Sequence, residues 1–469
     1  MLEMNWTQEV EKRKDDLLKD LQNFLKIKSV LDEENATEDA PLGKGVKEAL
    51  DYLLMLGEKD GFTPKNVDHL AGHLEFGEGE DLLGILCHVD VVPEGDGWSV
   101  DPYGGEIKDG KIYARGAIDD KGPTMAAYYA MKIVKELKPD FTKRVRMIIG
   151  TDEESDWRCV DHYFKKEEMP SMGFAPDADF PIIYAEKGIA DYDLVQKMKR
   201  EGNEEGNIVV SFESGRRYNM VPDYAKAVVH LEEDHTKWVQ QFEIFTKKEE
   251  IKGSYYIENG DVIFEVEGVS AHGMEPDNGK NAGLYLASFL TELPLDSQAE
   301  AFFAFTKENF FKDSRGVKLG VSHCDEITGD LTINVGKLRY SKDEGGRLGL
   351  NMRYGVHYEI EQAKKTLQAI EGFTVEKFTD SKPHHVSADD ELVQTLKKVY
   401  EEQTGEKGEL ITIGGGTYAR SLEAGVAFGP LFPGREDIAH QKDEYMYIED
   451  LLKATAIYAQ AIYELACKS

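Results

Sequence analysis

The sequence predicts an α/β chain in which an open, helix-covered sheet is interrupted by an α+β insert. Three observations predict it. Between residues 82 and 150, short apolar β-like runs alternate with helical patterns, as in an open α/β sheet. From about Gly188 the texture changes to paired strands with helical patterns between them, ending near Lys382-Pro383. Beyond that point helix and strand patterns resume.

Each element has its local reason. Residues 7–27 read as one amphipathic helix, with Val10, Leu17, Leu18, Leu21, Phe24 and Leu25 on a single stripe. The acidic stretch Leu31–Leu42, which contains Pro41, reads as a loop, and a second helix follows over Lys44–Glu58. Apolar runs at Leu82–Cys87 and Val145–Gly150 read as buried strands, and Ile107–Tyr113 as a hairpin turning at Asp109-Gly110. Gly122-Pro123 starts a helix over Thr124–Leu137. In the insert, Asn207–Phe212, Lys226–Leu231 and Asp261–Val266 read as strands, and Ala282–Leu293 and Glu359–Ile370 as helices. A helix at Glu391–Glu402 leads through Gly405 to a strand at Glu409–Ile413, and Ile448–Leu465 is a last helix.

Composition narrows the function. The chain has 469 residues, enough for roughly two to four domains. It carries 56 basic and 89 acidic residues, a net charge of −33. Nucleic acids and anionic membrane surfaces call for a basic face, so both are excluded as partners. No apolar run approaches the roughly 20 residues of a membrane helix, and the charged start of the chain has no apolar secretory core. Cys87, Cys159, Cys324 and Cys467 lie far apart, which argues against a disulfide framework or zinc finger. These features predict a cytoplasmic protein with reduced thiols.

The chemistry is sought at strand ends. No G-x-S-x-G, G-x-x-x-x-G-K-[ST] or H-E-x-x-H pattern occurs. Acid pairs alone carry no signal, since about 17 arise by chance in so acidic a chain. Position carries more. His88 and Asp90 directly follow one apolar run, and Thr151-Asp152-Glu153-Glu154 follows another. Ligands of open α/β sheets bind at the carboxyl ends of strands, and a carboxylate beside an imidazole commonly orients a metal-ligating histidine.

Longer motifs carry a resemblance. Cys87-His88-Val89-Asp90-Val91-Val92-Pro93, Ala114-Arg115-Gly116-Ala117-Ile118-Asp119-Asp120-Lys121-Gly122 and Thr151-Asp152-Glu153-Glu154-Ser155 resemble successive motifs of the M20 family of co-catalytic metallopeptidases. Phe174-Ala175-Pro176-Asp177-Ala178 with Glu186-Lys187-Gly188, then Ser270-Ala271-His272-Gly273, and finally Ala439-His440 continue the match in order. Within that family the chain is most similar to cytoplasmic dipeptidases of the PepV type. The resemblance implies a catalytic domain with a central mixed sheet, split over residues 1–187 and 383–469, and an inserted lid domain over 188–382. It also implies two divalent metal ions, zinc or manganese with cobalt a further candidate. Asp119 would bridge them, with His88 and Asp177 on one ion and Glu154 and His440 on the other. Glu153 would be the general base toward a two-metal-activated water, and Asp90 would hydrogen-bond His88. The peptide bond matching Asp119-Asp120 is often cis in the family. His272 would donate to the developing oxyanion, with Asn219 in a similar role. Arg353 would fork onto the substrate's terminal carboxylate, which backbone groups of Gly415, Gly416 and Thr417 would help cradle.

The implied activity is hydrolysis of unblocked dipeptides by a monomer or simple homo-oligomer. A related amidase acting on N-acyl amino acids, a two-metal phosphoesterase, and a non-catalytic peptide- or metal-binding protein are the alternatives. A requirement for a free amine separates the dipeptidase from the amidase.

Overall fold

The computed structural model describes residues 4–137, 139–198, 206–231 and 235–467. They form two compact units. One takes in the chain up to Tyr184, His385–Ile411 and the residues from Thr417 onward; the other comprises Ala185–His384 and Thr412–Gly416.

The first unit is built on a mixed sheet. Leu82–His88 runs parallel to Arg144–Gly150 on one side and to Met172–Ala175 on the other. Gly425–Ala427, from late in the chain, adds parallel to Met172–Ala175. Ala71–Gly77 and Thr63–Val67 extend the opposite edge as an antiparallel hairpin. Every residue of Leu82–His88 is buried, which is why this stretch reads as unbroken hydrophobicity and not as alternation. Helix Lys121–Leu137 packs against Ile448–Ala466, so early and late parts of the chain share one core. The late helix Glu391–Thr404 starts where the Asp390 carboxylate accepts the Leu392 N–H, and stops at Gly405 (φ +73°).

The second unit has its own core around an eight-stranded, wholly antiparallel sheet. The order is Lys252–Glu258, Asp261–Glu267, Tyr224–His230, Ile208–Ser214, Thr332–Ser341, Gly345–Tyr354, Gly188–Gln196 and Phe373–Ser381. Asn281 and Asp296 cap helices Ala282–Leu290 and Ser297–Phe310 by accepting their first-turn N–H groups.

Two readings of local structure change. The single helix expected over 7–27 is two helices, Trp6–Glu11 and Lys14–Leu25, broken at Lys12-Arg13. The break lets Trp6 pack at a tilt against Tyr463 (5.3 Å between centroids, 56° between planes), while Arg13 ties Glu9 to Glu136. The hairpin of Thr63–Val67 and Ala71–Gly77 has no counterpart among the predicted elements. Its outer strand holds Pro64 and is mostly exposed, so neither alternation nor an apolar run marks it. Among the described residues, no helix is long and apolar enough to cross a membrane.

Candidate active site

The carboxyl ends of the parallel strands present a connected group of imidazoles and carboxylates. His88 ends the strand Leu82–His88 and is fully buried. Its Nε2 lies 3.1 Å from Asp119 Oδ1 and 3.7 Å from Asp177 Oδ1. His440 Nε2 lies 2.9 Å from Asp119 Oδ2 and 3.0 Å from Glu154 Oε2. Asp119 therefore faces both imidazoles, one with each carboxylate oxygen. The Asp119-Asp120 peptide is cis.

Among the described residues, three sets of donor atoms fall within 4.8 Å of one another: His88–Asp119–Asp177, His88–Glu153–Glu154 and Asp119–Glu154–His440. Their charge balance is unfavourable without a cation. Burial, with Asp177 next, drives the Glu153 carboxyl well above its usual range, and burial also raises Glu154 and Asp177. The imidazoles compensate in part. Hydrogen bonds that His440 donates to Asp119 and Glu154 push its pKa up to about 10. Burial by itself lowers His88, but the surrounding carboxylates, Asp177 foremost, hold it well above its ordinary value. Burial opposes ionisation of Asp119, yet its contacts with His440 and His88 keep it low. Half-buried carboxylates forced together in this way, with two imidazoles among them, are a donor set suited to divalent cations.

Asp90 sits differently from the simple expectation. His88 Nδ1 is closer to the Asp90 carbonyl oxygen (3.0 Å) than to its carboxylate (3.4 Å). That carboxylate instead accepts the backbone N–H groups of Glu153 (3.2 Å) and Glu154 (3.0 Å), pinning the turn that carries both acids. Asp90 thus orients the ring through its backbone and the two glutamates through its side chain.

The remaining sequence candidates fall mostly in the second unit. His272 forms a bridge with Met220, and the Gly273 N–H donates to the Asn219 carbonyl at 2.7 Å, so Asn219 and His272 share one loop pair. His272 Nδ1 accepts the Met274 N–H (3.1 Å), which leaves Nε2 as the protonated nitrogen. Burial and then the charge of Arg353 lower its pKa, favouring the neutral ring. Arg353 is buried on strand Gly345–Tyr354, where Nε donates to Asn351 Oδ1 (2.8 Å) and Nη1 to the Gly414 carbonyl (3.1 Å). Asn351 in turn donates to Asp191 (2.5 Å). The expected cradle does not belong to one unit: Gly415 and Gly416 go with the second, while Thr417 is buried in the first, ahead of the short helix Tyr418–Ser421.

Several further residues pack around this site without having been given a role by the sequence. The buried Tyr418 ring packs edge-on to His88 (5.9 Å, 90°), and its hydroxyl contacts Cys159 Sγ at 3.3 Å. Gly150 makes room for it, since a Cβ there would lie 1.9 Å from the hydroxyl oxygen. Buried Lys121 reaches the carbonyl oxygens of Ile27 (2.5 Å) and Phe24 (3.4 Å), and burial lowers it to about 7. Glu444, raised to about 7 chiefly by burial, pairs with Arg115 at 2.6 Å.

A mixed α/β unit with acids and imidazoles at its strand ends, joined to an antiparallel α+β unit, defines the class as a two-domain hydrolase. The model of "Peptidase family M20/M25/M40" matches residues 84–464. The chain belongs to this family and is a hydrolase of peptide bonds, as the motif resemblance implies. Over 463 residues it is 58% identical to the Bacillus subtilis (strain 168) protein named "Putative dipeptidase YtjP", covering 99% of this chain and 100% of that one. It is also similar in structure to the aminoacylhistidine dipeptidase from Vibrio alginolyticus (TM-score 0.59, 12% identity, covering 97% of each chain). Aminopeptidase PepT from Bacillus cereus ATCC 10987 gives a TM-score of 0.57 at 15% identity, over 96% of this chain and 98% of that one. At such identities the likeness is one of fold, and the expected α/β fold with an α+β insert is borne out.

Proposed function

We propose that this protein is a metal-dependent dipeptidase that cleaves unblocked dipeptides. The observation that carries the reading is the pair of donor sets sharing Asp119, with Glu153 half-buried beside them. The relative named a dipeptidase, identical at 58% of positions over its full length, supports the substrate class.

His88, Asp119 and Asp177 would hold one divalent ion, and Asp119, Glu154 and His440 the other. When bound, the ions supply Lewis-acid polarisation of the scissile carbonyl and acidify the attacking water. Glu153 takes the proton from that water and delivers it to the leaving amine. Neutral His272 donates from Nε2 to the oxyanion. Asp90 keeps Glu153 and Glu154 in register through their N–H groups. Arg353, steadied by Asn351 and Asp191, binds the terminal carboxylate and thereby fixes substrate length.

The test is a panel of dipeptides, N-acyl amino acids, dipeptide amides and phosphate esters, offered to metal-stripped protein reloaded with Zn²⁺, Mn²⁺ or Co²⁺. Free dipeptides should be the turned-over class. Losing the carboxylate should cost about ten- to a hundred-fold in kcat/KM, the worth of a charge-assisted pair. Arg353→Ala should narrow the gap between acid and amide. Preference for N-acyl substrates would move the assignment to an amidase, and an equal decline of acid and amide in Arg353→Ala would remove Arg353 from the carboxylate.

A further inference from the structure

The loop bearing His440 is exposed at Gln441 and Lys442, and both His440 (φ +62°) and Asp443 (φ +56°) are left-handed without being glycine. Such a loop is costly to hold in one conformation. Its anchor is Glu444, which is completely buried. Glu444 Oε1 accepts the N–H groups of Ile118 (2.9 Å) and Asp119 (3.2 Å). Its Oε2 accepts the Gly116 N–H (3.1 Å) and Arg115 Nη1 (2.6 Å). All acceptor capacity of the carboxylate is directed at the loop that carries Asp119.

Arg115, 1% exposed, continues the connection. Its Nη1 also donates to the Gln441 carbonyl (3.2 Å), and its Nη2 approaches the carbonyls of Glu94 (3.3 Å), His440 (3.4 Å) and Pro93 (3.5 Å). One ion pair therefore grips the backbones of the Asp119 loop and the His440 loop together. The loop after His88 is held too, but at Pro93 and Glu94, well past the imidazole. Among the described residues the Asp177 segment takes no part in these bonds, and Glu154 is positioned by Asp90.

We propose that the Arg115–Glu444 pair is a positioning device that sets affinity for the ion held by Asp119, Glu154 and His440, in preference to the ion held by His88, Asp119 and Asp177. The proposal rests on the two-ion reading above. It follows from geometry: removing the clamp loosens two of the three donors of one site, Asp119 and His440, but only the shared Asp119 of the other, where His88 and Asp177 keep their own supports. A glutamine in place of Glu444 is no substitute, because its NH₂ faces N–H donors where a carboxylate oxygen had accepted them.

The experiment is equilibrium dialysis of metal-stripped protein against a series of buffered free Zn²⁺ concentrations, with bound zinc measured by mass spectrometry. Wild type should bind two ions per chain. Glu444→Gln should weaken one of the two sites by about 10–100-fold, the scale on which groups supporting metal ligands act, and the other, which shares only Asp119 with the clamp, by much less. Arg115→Lys keeps a positive charge beside Glu444 but cannot reach the Gln441, His440 and Glu94 carbonyls together. It should give the same one-site loss, and serves if Glu444→Gln does not fold by circular dichroism. Two unchanged sites, or two sites weakened equally, overturns the proposal. Fewer than two ions on the wild type overturns the two-ion reading itself, independently of the variants.

Discussion

Replacing Gly150 by alanine tests whether packing behind His88 is as tight as the geometry requires. A Cβ at position 150 would lie 1.9 Å from the Tyr418 hydroxyl oxygen, 2.9 Å from ring Cζ and 3.3 Å from Cys159 Sγ. None of these atoms has open space to enter, because Tyr418 is fully buried between His88, Cys159 and Trp157. Overpacking of this kind costs about 1–3 kcal/mol. The hydroxyl is the worst clash, so Tyr418→Phe should relieve Gly150→Ala in part. By itself Tyr418→Phe loses only the weak contact to Cys159 Sγ, below about 1 kcal/mol. The double-mutant cycle should therefore show a favourable coupling of about 1 kcal/mol. Thermal melts of the four metal-stripped proteins measure it, at roughly 2–4 °C per kcal/mol for a large domain. Zinc affinity should fall with Gly150→Ala and recover in the double variant, since the displaced ring is the one that packs against His88. If the two substitutions add independently, or if Gly150→Ala is neutral, the close approach of Tyr418 does not constrain the site.

Glu153→Gln should abolish turnover while two ions per chain survive dialysis; loss of an ion alongside activity would show that the roles of Glu153 and Glu154 are exchanged. His272→Ala should lower kcat on the order of 10²–10³-fold with little change in substrate affinity, as measured by inhibitor binding, because an oxyanion donor acts in the transition state. His73, buried with Nδ1 at 2.8 Å from the Tyr163 hydroxyl, is lowered by burial to about 4 from 6.5. It stays neutral in the fold but protonates more readily in the unfolded chain, so its contribution is intact above pH 6.5 and is lost as pH falls toward 4. His73→Gln should flatten that acid limb by on the order of 2–3 kcal/mol in urea unfolding across this range.

What the sequence makes legible follows from how each feature is encoded. Strands buried on both faces announce themselves as apolar runs, so Leu82–His88 and Arg144–Gly150 are readable, and with them the polar residues at their ends. The hairpin at 63–77 is not, because an exposed edge strand needs no apolar pattern. The break at Lys12-Arg13 is set by what Trp6 and Arg13 meet at Tyr463 and Glu136, far along the chain. The candidate ligands are legible through ordered motifs, and the geometry brings His88, Asp119, Glu154, Asp177 and His440 together. Their supports are not legible. Glu444 is one acid among 89, and nothing nearby in sequence says that it is buried beside Arg115, 329 residues away. The division of labour within Asp90, carbonyl to the ring and carboxylate to the next loop, is likewise a property of the folded backbone alone.

The way the first unit is stitched from early and late chain bears on how the protein is made. His440 and Glu154 meet across 286 residues, and helix Ile448–Ala466 completes the core that Lys121–Leu137 begins. Contacts of such span form late, because a long loop must close before they repay its entropy. During translation the insert, with a core of its own, can fold while the surrounding unit still lacks a wall. Until residues 440–444 emerge from the ribosome, the nascent chain holds His88, Asp119, Glu153, Glu154 and Asp177 without His440 or the Arg115–Glu444 pair. The side-chain cluster at the strand ends is therefore assembled in two instalments, and a fragment released before residue 440 would carry the early acids and His88 with neither the second imidazole nor the pair that grips its loop.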